Sequence, residues 1–501
     1  MMNIDRLLIL ALIVIFGSHQ LQSQNDHQKK LDQMIRQGIE DWNIPGFAVS
    51  VVHEGETIFY ETYGVRNIAD KTPVDEHTLF TLGSTTKAMI AIGLGMLADE
   101  GKLSWEDPVR KHLPSFRLSD PYITEEARIQ DLLTHNLGIQ PADLLWIIDS
   151  VSTEKTIERF QHAPKVYPVR GGFQYNNMMY AIAGEVIGSV SGSHWTEFLR
   201  EKLFIPLEMT DTKAVSADIM KIENRVTPYS PGKQGPVKDI YMLKDQVGAA
   251  GMIWSSIHDM TNYLKFLDQD GIYNGDTIVR SQTFDKLFEP QTIIPEKEFY
   301  PTRELTNPNW TTYGLAWFQQ DYKGLKVDYH TGSITGLIAL AGLVRDKDLA
   351  VYVFGNMDHA ELRHAVLFKA IDLFVFDDDS TDWHKEIFAL YEPSGKEESE
   401  FGDMLEKNRI ENSSPSLELK AYEGIYVHKM YGEMRVDAVE DSLTITSNDL
   451  YNFEMDHLHF NTFISNKNNM LNNKVPFTFN LGDDGKVETL RVYGLEFNKK
   501  R

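Results

Sequence analysis

The sequence predicts an α+β fold, in which an antiparallel sheet is flanked by helices and a helical region, and a small all-β barrel domain follows. Two observations place strands at both ends of the first region. Residues 47–53 and 57–63 are apolar runs joined by a short turn, as in a β-hairpin, and strand patterns return over 314–356. The third observation is a series of short alternating strands, separated by turn signals, from about residue 417 onward.

Helices are predicted between the two groups of strands. The segment from about 105 to 290 reads mostly as helix and loop, so we expect one sheet built from both ends of the region, with helices packed against it. A helix is predicted over 85–100, ended by Gly101, and another over about 359–374. The domain division that follows is a signal peptide at 1–23, a main domain at 24–376, an acidic linker with some helix at 377–415, and a β domain at 416–501.

Composition narrows the classes of function. The chain has 501 residues, of which 42% are hydrophobic, enough for a large core and more than one domain. A net charge of -24 repels phosphate backbones, so we expect no nucleic-acid partner. The chain has no cysteine, which excludes disulfides, thiolate catalysis and cysteine zinc sites.

The N-terminus predicts export. Arg6 precedes an apolar run over 7–16, too short to span a bilayer, which takes about 20 residues. We expect cleavage after Ser23 and a periplasmic or extracellular protein; an uncleaved membrane anchor and a buried N-terminal helix stay as alternatives.

The first candidate for chemistry is a Ser-x-x-Lys pattern, which occurs three times. The copy at 152–155 lies in a charged stretch, where the serine can cap a helix. The copy at 230–233 contains Pro-Gly and is predicted to be a loop. Only Ser84 stands between a strand and a strongly apolar helix, with Lys87 one turn further on the same face. Serine needs a base in contact to act as a nucleophile, and a lysine can serve if burial lowers its pKa. A helix cap beside a solvated lysine is the alternative.

Two further motifs each occur once. In the first, Tyr175 could relay protons between nucleophile and leaving group, and Asn177 would face the same cleft. The second is His330-Thr331-Gly332, which we expect on an edge strand that lines the substrate groove. The backbone N–H of Ser333 would then form an oxyanion hole with that of Ser84. A packed tyrosine and an ordinary strand end are the alternatives.

The three motifs, in this order, resemble the serine β-lactamase and penicillin-binding superfamily over about 27–375, nearest the class C β-lactamases, D-aminopeptidases and β-lactamase-like esterases. The segments 132–135, 206–212 and 249–255 are similar as well. The resemblance implies a β-lactamase/transpeptidase-like fold in which Ser84 is the nucleophile and Lys87 and Tyr175 share the acid and base roles. It also implies that the substrate is positioned by Asn177, His330, Thr331 and Gly332. The N–H groups of Ser84 and Ser333 would form the oxyanion hole.

Three positions bear on how closely this sequence follows the pattern of that family. His330 replaces the lysine typical of β-lactamases, and a histidine is largely neutral near pH 7. This favours the esterase and peptidase branch over penicillin turnover. Leu137 stands where relatives usually carry serine, without an expected catalytic consequence, and His135 is expected to be structural.

The C-terminal region resembles, at 422–426 and 431–436, a lipocalin-like domain appended to such hydrolases. His457 and His459 would put two imidazoles on one face of a strand, but without an evident third ligand we expect no metal and no cofactor. We expect this domain to cover the active site or to assemble a homo-oligomer.

The leading hypothesis is a serine hydrolase that forms an acyl-enzyme on Ser84 and cleaves a small ester or peptide, with D-amino-acid and cell-wall fragments among the candidates. The alternatives are a β-lactam-hydrolysing enzyme and a penicillin-binding sensor that acylates without turnover. A degenerate homologue is disfavoured by the intact Ser84, Lys87 and Tyr175.

Overall fold

A computed structural model describes residues 24–148, 150–232, 234–448, 451–465 and 474–500. The predicted signal peptide, 1–23, lies outside the described residues. Within the described ranges, every helix is too short or too polar to cross a membrane.

A nine-stranded antiparallel sheet forms the centre of the main domain, in the order β10-β11-β12-β13-β14-β15-β1-β2-β3. The remaining short strands of this region pair two by two, β4 with β7, β5 with β6 and β8 with β9. The strands are β1 Gly46–His53, β2 Glu56–Asn67, β3 Thr72–Pro73, β4 Phe80–Thr81, β5 Tyr229–Ser230, β6 Val237–Lys238, β7 Trp254–Ser255, β8 Ile272–Tyr273, β9 Asp276–Thr277, β10 Thr292–Ile293, β11 Thr311–Tyr313, β12 Phe318–Tyr322, β13 Leu325–Ile334, β14 Leu337–Val344 and β15 Leu349–Gly355.

The expected assembly of one sheet from both ends of the region is confirmed. β1 pairs with β2 on one side and with β15 on the other, with Val49 opposite Val353. Every residue of β14 and β15 is buried, as apolar runs require when both faces of a sheet are covered.

Helices cover both faces of this sheet. They are α1 24–41, α2 Thr86–Asp99, α3 Val109–His112, α4 Pro121–Glu126, α5 Leu144–Ile147, α6 Thr153–Phe160, α7 Asn177–Ser191, α8 Trp195–Leu199, α9 Gly248–Gly251, α10 Ile257–Asp268, α11 Ser281–Leu287, α12 Arg303–Thr306, α13 Leu362–Phe376 and α14 Trp383–Lys407. α2 is buried from Thr86 to Leu97. A helix that is apolar on all sides belongs to the core, so the residues at its start are held rigidly.

The predicted β domain is confirmed as a closed barrel of eight antiparallel strands. Its strands are β16 Gly424–His428, β17 Gly432–Val439, β18 Ser442–Thr446, β19 Asn452–His459, β20 Thr462–Ser465, β21 Pro476–Leu481, β22 Val487–Val492 and β23 Leu495–Lys499. Each strand pairs with the next along the chain, and β16 pairs with β23 to close the ring. Closure leaves no free strand edge. The helix α14 occupies much of 377–415, where a linker with some helix was expected.

One expectation about the sheet is wrong. We expected His330, Thr331 and Gly332 on an edge strand, but β13 lies between β12 and β14. The reason is that β13 is longer than β12: the pairing with β12 ends at Tyr329, while the pairing with β14 continues to Ile334. Only the last residues of β13 therefore behave as an edge.

Candidate active site

Ser84 lies in a 3-10 helix, Gly83–Thr85, that connects β4 to α2. The backbone of Gly83 has a φ of +52°, a conformation that favours glycine. A Cβ at this position would lie 2.7 Å from the backbone nitrogen of Ser333. Glycine therefore permits the close approach of the Ser84 turn to β13.

Lys87 lies one turn after Ser84, and its side chain is fully buried. Its Nζ is 2.8 Å from Ser84 Oγ, 2.8 Å from Asn177 Oδ1 and 2.7 Å from the carbonyl oxygen of Ala250 in α9. All three partners are uncharged, so burial dominates and lowers the pKa of Lys87 to about 7, with the charge of Asp143 acting weakly in the opposite direction. The ammonium is thus poised to lose its proton near neutral pH.

Asn177 is the first residue of α7, and the side chain of the preceding Asn176 caps that helix by accepting the Met178 N–H at 3.1 Å. Asn177 Oδ1 accepts from Lys87, and its Nδ2 donates to Asp143 Oδ1 at 3.1 Å. Trp146 Nε1 donates to the same carboxylate oxygen at 3.2 Å. Asn177 therefore links the lysine to a carboxylate.

Tyr175 comes just before α7, and its ring lies 5.0 Å from Lys87 Nζ. Burial raises the pKa of Tyr175 well above its usual value, against a smaller opposite effect of the neighbouring Ser84 hydroxyl. The phenol therefore keeps its proton at neutral pH and is a donor.

The end of β13 lies directly against the Ser84 turn at Gly332. A Cβ on Gly332 would overlap the carbonyl oxygen of Leu82. The next residue, Ser333, is exposed, and its Oγ accepts from Arg363 Nη1 at 2.9 Å. The contact between Gly332 and Leu82 sets the distance between the backbone of Ser333 and that of Ser84.

His330 and Thr331 lie behind this contact. His330 is buried; its Nδ1 donates to the carbonyl oxygen of Thr331 at 2.6 Å, and its Nε2 is 3.0 Å from the hydroxyl of Tyr313, which donates to it. Burial, more than the charge of Lys87, lowers the pKa of His330 to about 3, so the ring is neutral and both nitrogens are paired. Thr331 Oγ1 is 2.9 Å from the hydroxyl of Tyr300. Direct substrate contact by His330 stays a prediction.

His135 packs beside Tyr175, with ring centroids 4.2 Å apart. Its Nδ1 accepts the N–H of Asn176 at 3.1 Å, and burial lowers the pKa of His135 well below its usual value. The ring is a neutral support for the start of α7, and the structural role remains our interpretation.

The other two Ser-x-x-Lys serines have local partners. Ser152 caps α6 by accepting the Lys155 N–H at 3.2 Å. Ser230 ends β5 and donates to the carboxylate of Asp239; Lys233 lies outside the described residues.

Sequence reasoning missed a buried ion pair beneath β13. Arg363 forms a two-bond contact with Glu361, at 2.9 Å each, and its Nη1 also donates to the carbonyl oxygen of Gly332 at 2.6 Å. Two opposite charges, two residues apart at the start of a mostly apolar helix, were the available signal. Asp143 was missed as well, because no motif marks its segment.

The barrel contacts the loop that carries Asp143. Asn448 Nδ2 donates to the carbonyl oxygen of Ile147 at 3.1 Å, and the hydroxyl of Ser447 donates to that of Ile148. Tyr431, before β17, is buried, and burial together with the charge of Asp143 raises the pKa of Tyr431 to about 12. The barrel thus packs against the segment that carries Asp143, the carboxylate partner of Asn177.

Comparison with known families gives two matches. The Beta-lactamase family profile matches residues 31–375. The profile of a domain of unknown function, DUF3471, matches residues 408–501, and the lipocalin likeness of this part stays a prediction.

Individual relatives are distant. The unguisins hydrolase ungD' of Aspergillus campestris is 26% identical over 442 residues, which cover 83% of this chain and 79% of that protein. Protein flp of Staphylococcus aureus is 24% identical, covering 67% of this chain and 64% of its own length. Among solved structures, the octameric penicillin-binding protein homologue from Pyrococcus abyssi aligns over 94% of this chain and 99% of its own, with a TM-score of 0.62 and 22% identity. At that identity the likeness is one of fold.

Proposed function

This chain belongs to the beta-lactamase family, and from that premise we propose that it is a serine hydrolase that works through an acyl-enzyme on Ser84. The observation that carries the proposal is the position of Lys87, whose Nζ is 2.8 Å from Ser84 Oγ and whose pKa is lowered to about 7. A base of this pKa in contact with a serine hydroxyl is what nucleophilic catalysis needs.

The partners of Lys87 support its role as the base. In the neutral amine, one N–H donates to Asn177 Oδ1 and the other to the carbonyl oxygen of Ala250, since both of these atoms can only accept. The remaining lone pair then points to Ser84 and accepts its proton as Oγ attacks the carbonyl carbon of the substrate.

Tyr175 supplies the complementary acid. Its raised pKa keeps the phenol protonated, so we propose that it donates a proton to the leaving oxygen or nitrogen when the tetrahedral intermediate collapses. The N–H groups of Ser84 and Ser333 would hold the oxyanion. Water then attacks the ester on Ser84 and gives a proton to the Tyr175 phenolate, and the carboxylic acid product is released as Lys87 returns its proton to Ser84 Oγ.

The charge of the cleft bears on the substrate. Lys87 is only partly protonated at pH 7, His330 is neutral, and Arg363 is paired with Glu361. Asp143 places a carboxylate beside Asn177. We propose that the acyl group is neutral or cationic near the reacting carbonyl, as in a small ester or a peptide with a free amino group. The name of the relative ungD', a hydrolase, supports hydrolysis as the reaction class.

The first experiment is nitrophenol release from a short-chain nitrophenyl ester, followed from the first turnover. We expect a burst close to one nitrophenol per chain and steady turnover, both lost in Ser84→Ala. Ser152→Asn, which keeps a helix cap on another Ser-x-x-Lys serine, should behave like the wild type. A burst without turnover would instead support the acyl-binding sensor, and equal rates in wild type and Ser84→Ala would refute the proposal.

The charge preference has its own test. We compare three alanine esters whose N-terminus is cationic (free amino group), neutral (N-acetyl) or anionic (N-succinyl). We expect kcat/KM to fall in that order. In Asp143→Asn, which keeps the Oδ1 acceptor, the ratio of kcat/KM for the amino ester to kcat/KM for the succinyl ester should drop at least tenfold. Unit charges 4 Å apart interact by about 1 kcal/mol even in water, the attraction of the amino group and the repulsion of the succinyl group both contribute, and about 1.4 kcal/mol is a factor of ten. Asp483→Asn, in an exposed turn of the barrel, is the control. A Ser84-dependent burst with no charge preference would overturn the proposed substrate charge but leave the acyl-enzyme on Ser84 standing.

A further inference from the structure

Three metal-binding side chains meet on the surface beside the strand pair β4–β7. His77 lies just before β4, Asp211 lies in the loop after α8, and His258 lies in the first turn of α10. One ligand atom from each residue lies within 4.8 Å of the other two. His77 Nδ1 is 2.9 Å from Asp211 Oδ2, and the two imidazole centroids are 5.0 Å apart.

Each histidine also has a carboxylate at a ring nitrogen. Glu76 Oε1 is 3.5 Å from His77 Nε2, and Asp259 Oδ1 is 3.2 Å from His258 Nδ1. In zinc sites the ligating histidine nearly always has such a partner on the nitrogen that does not bind the metal. This arrangement leaves His77 Nδ1, on the side of Asp211, and His258 Nε2 as the two ligand atoms.

Asp211 is held in place by neighbours of its own. The Ser256 hydroxyl donates to Asp211 Oδ2 at 2.8 Å. The backbone N–H groups of Asp211 and Thr212 both donate to Asp259 Oδ2 at 2.8 Å. The buried carboxylate of Asp259 therefore fixes the loop and, through its other oxygen, the ring of His258.

We propose that His77, Asp211 and His258 bind one Zn²⁺, with water in the fourth position. Two imidazoles and one carboxylate are a ligand set that zinc accepts in tetrahedral geometry. The side chains are 51%, 24% and 42% exposed, so an ion can enter and keep a water. Glu76 and Asp259 add negative charge around the dication.

The expected effect is on the fold, because the ion joins three separate segments. The segment with His77 leads through β4 directly to the Ser84 turn, and β4 pairs with β7, which precedes His258. A ligand that binds only the folded chain raises the unfolding free energy in proportion to the logarithm of its concentration over its Kd. Zinc should therefore raise the midpoint of thermal unfolding.

The test uses the full chain without a polyhistidine tag, stripped of metal and dialysed against Zn²⁺. We expect one zinc per chain by elemental analysis and a zinc-dependent rise in Tm. His77→Ala and His258→Ala should weaken Kd, measured by calorimetry, at least tenfold, and Glu76→Gln about tenfold, since loss of such a partner weakens metal binding 10- to 100-fold.

His162→Ala, which removes another exposed histidine, is the matched control and should keep wild-type zinc binding. Circular dichroism of each metal-free variant checks that it has folded. Wild-type protein that takes up no stoichiometric zinc, or zinc that stays bound in the double variant of His77 and His258, would overturn the proposal.

Discussion

Lys87 is a lysine whose hydrogen-bond partners are all uncharged. In the unfolded chain its ammonium keeps its proton up to about pH 10.5, whereas in the folded chain the pKa is lowered to about 7. Between these values the unfolded state binds more protons, so this residue makes the folded protein more stable as the pH rises. Below pH 7 the full destabilising effect of the buried charge is present.

This gives a prediction for Lys87→Met, which has no charge to bury. The advantage in unfolding free energy of Lys87→Met over wild type should shrink by about 1.4 kcal/mol for each pH unit above 7. Denaturant unfolding at pH 6, 7, 8 and 9 measures it. Lys102→Met, at an exposed lysine after α2, is the control and should give a constant difference. A constant difference for Lys87→Met as well would mean that the lysine stays charged in the fold.

The residues around Ser84 show which parts of a site a sequence predicts. Ser84 and Lys87, and likewise Tyr175 and Asn177, are close in sequence, so local helix and loop geometry brings each pair to the cleft. The position of Asp143 depends on how a loop without a motif packs against α7 and the barrel. Local patterns hold no information on such packing, and the roles of all these residues stay predictions until activity is measured.

At the scale of elements, the approach of β13 to the Ser84 turn is the feature most sensitive to change. Gly332→Ala would push the strand away from Leu82. We expect the burst rate on a nitrophenyl ester to fall at least a hundredfold, as removal of an oxyanion-hole donor does, because the Ser333 N–H moves out of place.

The matched control for this glycine is Gly188→Ala. Gly188 lies within α7, and an added Cβ would have its nearest neighbour at 3.7 Å. This variant should keep the burst and gain up to about 1 kcal/mol of stability, as alanine does in helices. A Gly332→Ala enzyme with wild-type acylation would show that β13 does not set the geometry of Ser84.

The sequence predicts the positions of helices and strands best where the pattern of apolar residues is strong. The hairpin of β1 and β2 was predicted from apolar runs, and β12 to β15 all lie within 314–356, where strand patterns were expected. Differences arose where backbone geometry decides: the helix expected from 359 begins at Leu362, because His359 has a φ of +53° and cannot be helical. The interior place of β13 was missed although the signal is local, since β12 and β13 form a hairpin with only Lys323 and Gly324 between them.

At the scale of the whole molecule, the barrel and the main domain meet at the loop of Asp143. Asn448→Asp keeps an acceptor for the Tyr451 N–H but removes the donor to Ile147. We expect KM for a nitrophenyl ester to rise about fivefold with little change in kcat, since one hydrogen bond contributes about 1 kcal/mol.

Asn480→Asp makes the same substitution on an exposed residue of β21 and should leave KM unchanged. Equal KM values in both variants would mean that the contact of the barrel with Ile147 does not affect substrate binding. A sequence predicts a barrel from alternation and turns, but the way it docks depends on a few side chains at its rim. The homo-oligomer expected through this domain stays a prediction.

The pairing of β1 with β15 has a consequence for the timing of synthesis. The ribosome makes Ser84 and Lys87 early, whereas β13 to β15, which complete the sheet and bring Ser333 to the Ser84 turn, emerge about 250 residues later. A growing chain would therefore carry a serine and a lysine without an oxyanion hole. The proposed hydrolase activity would be absent while the main domain is still being translated, and it would first appear when the last strands of the sheet are added.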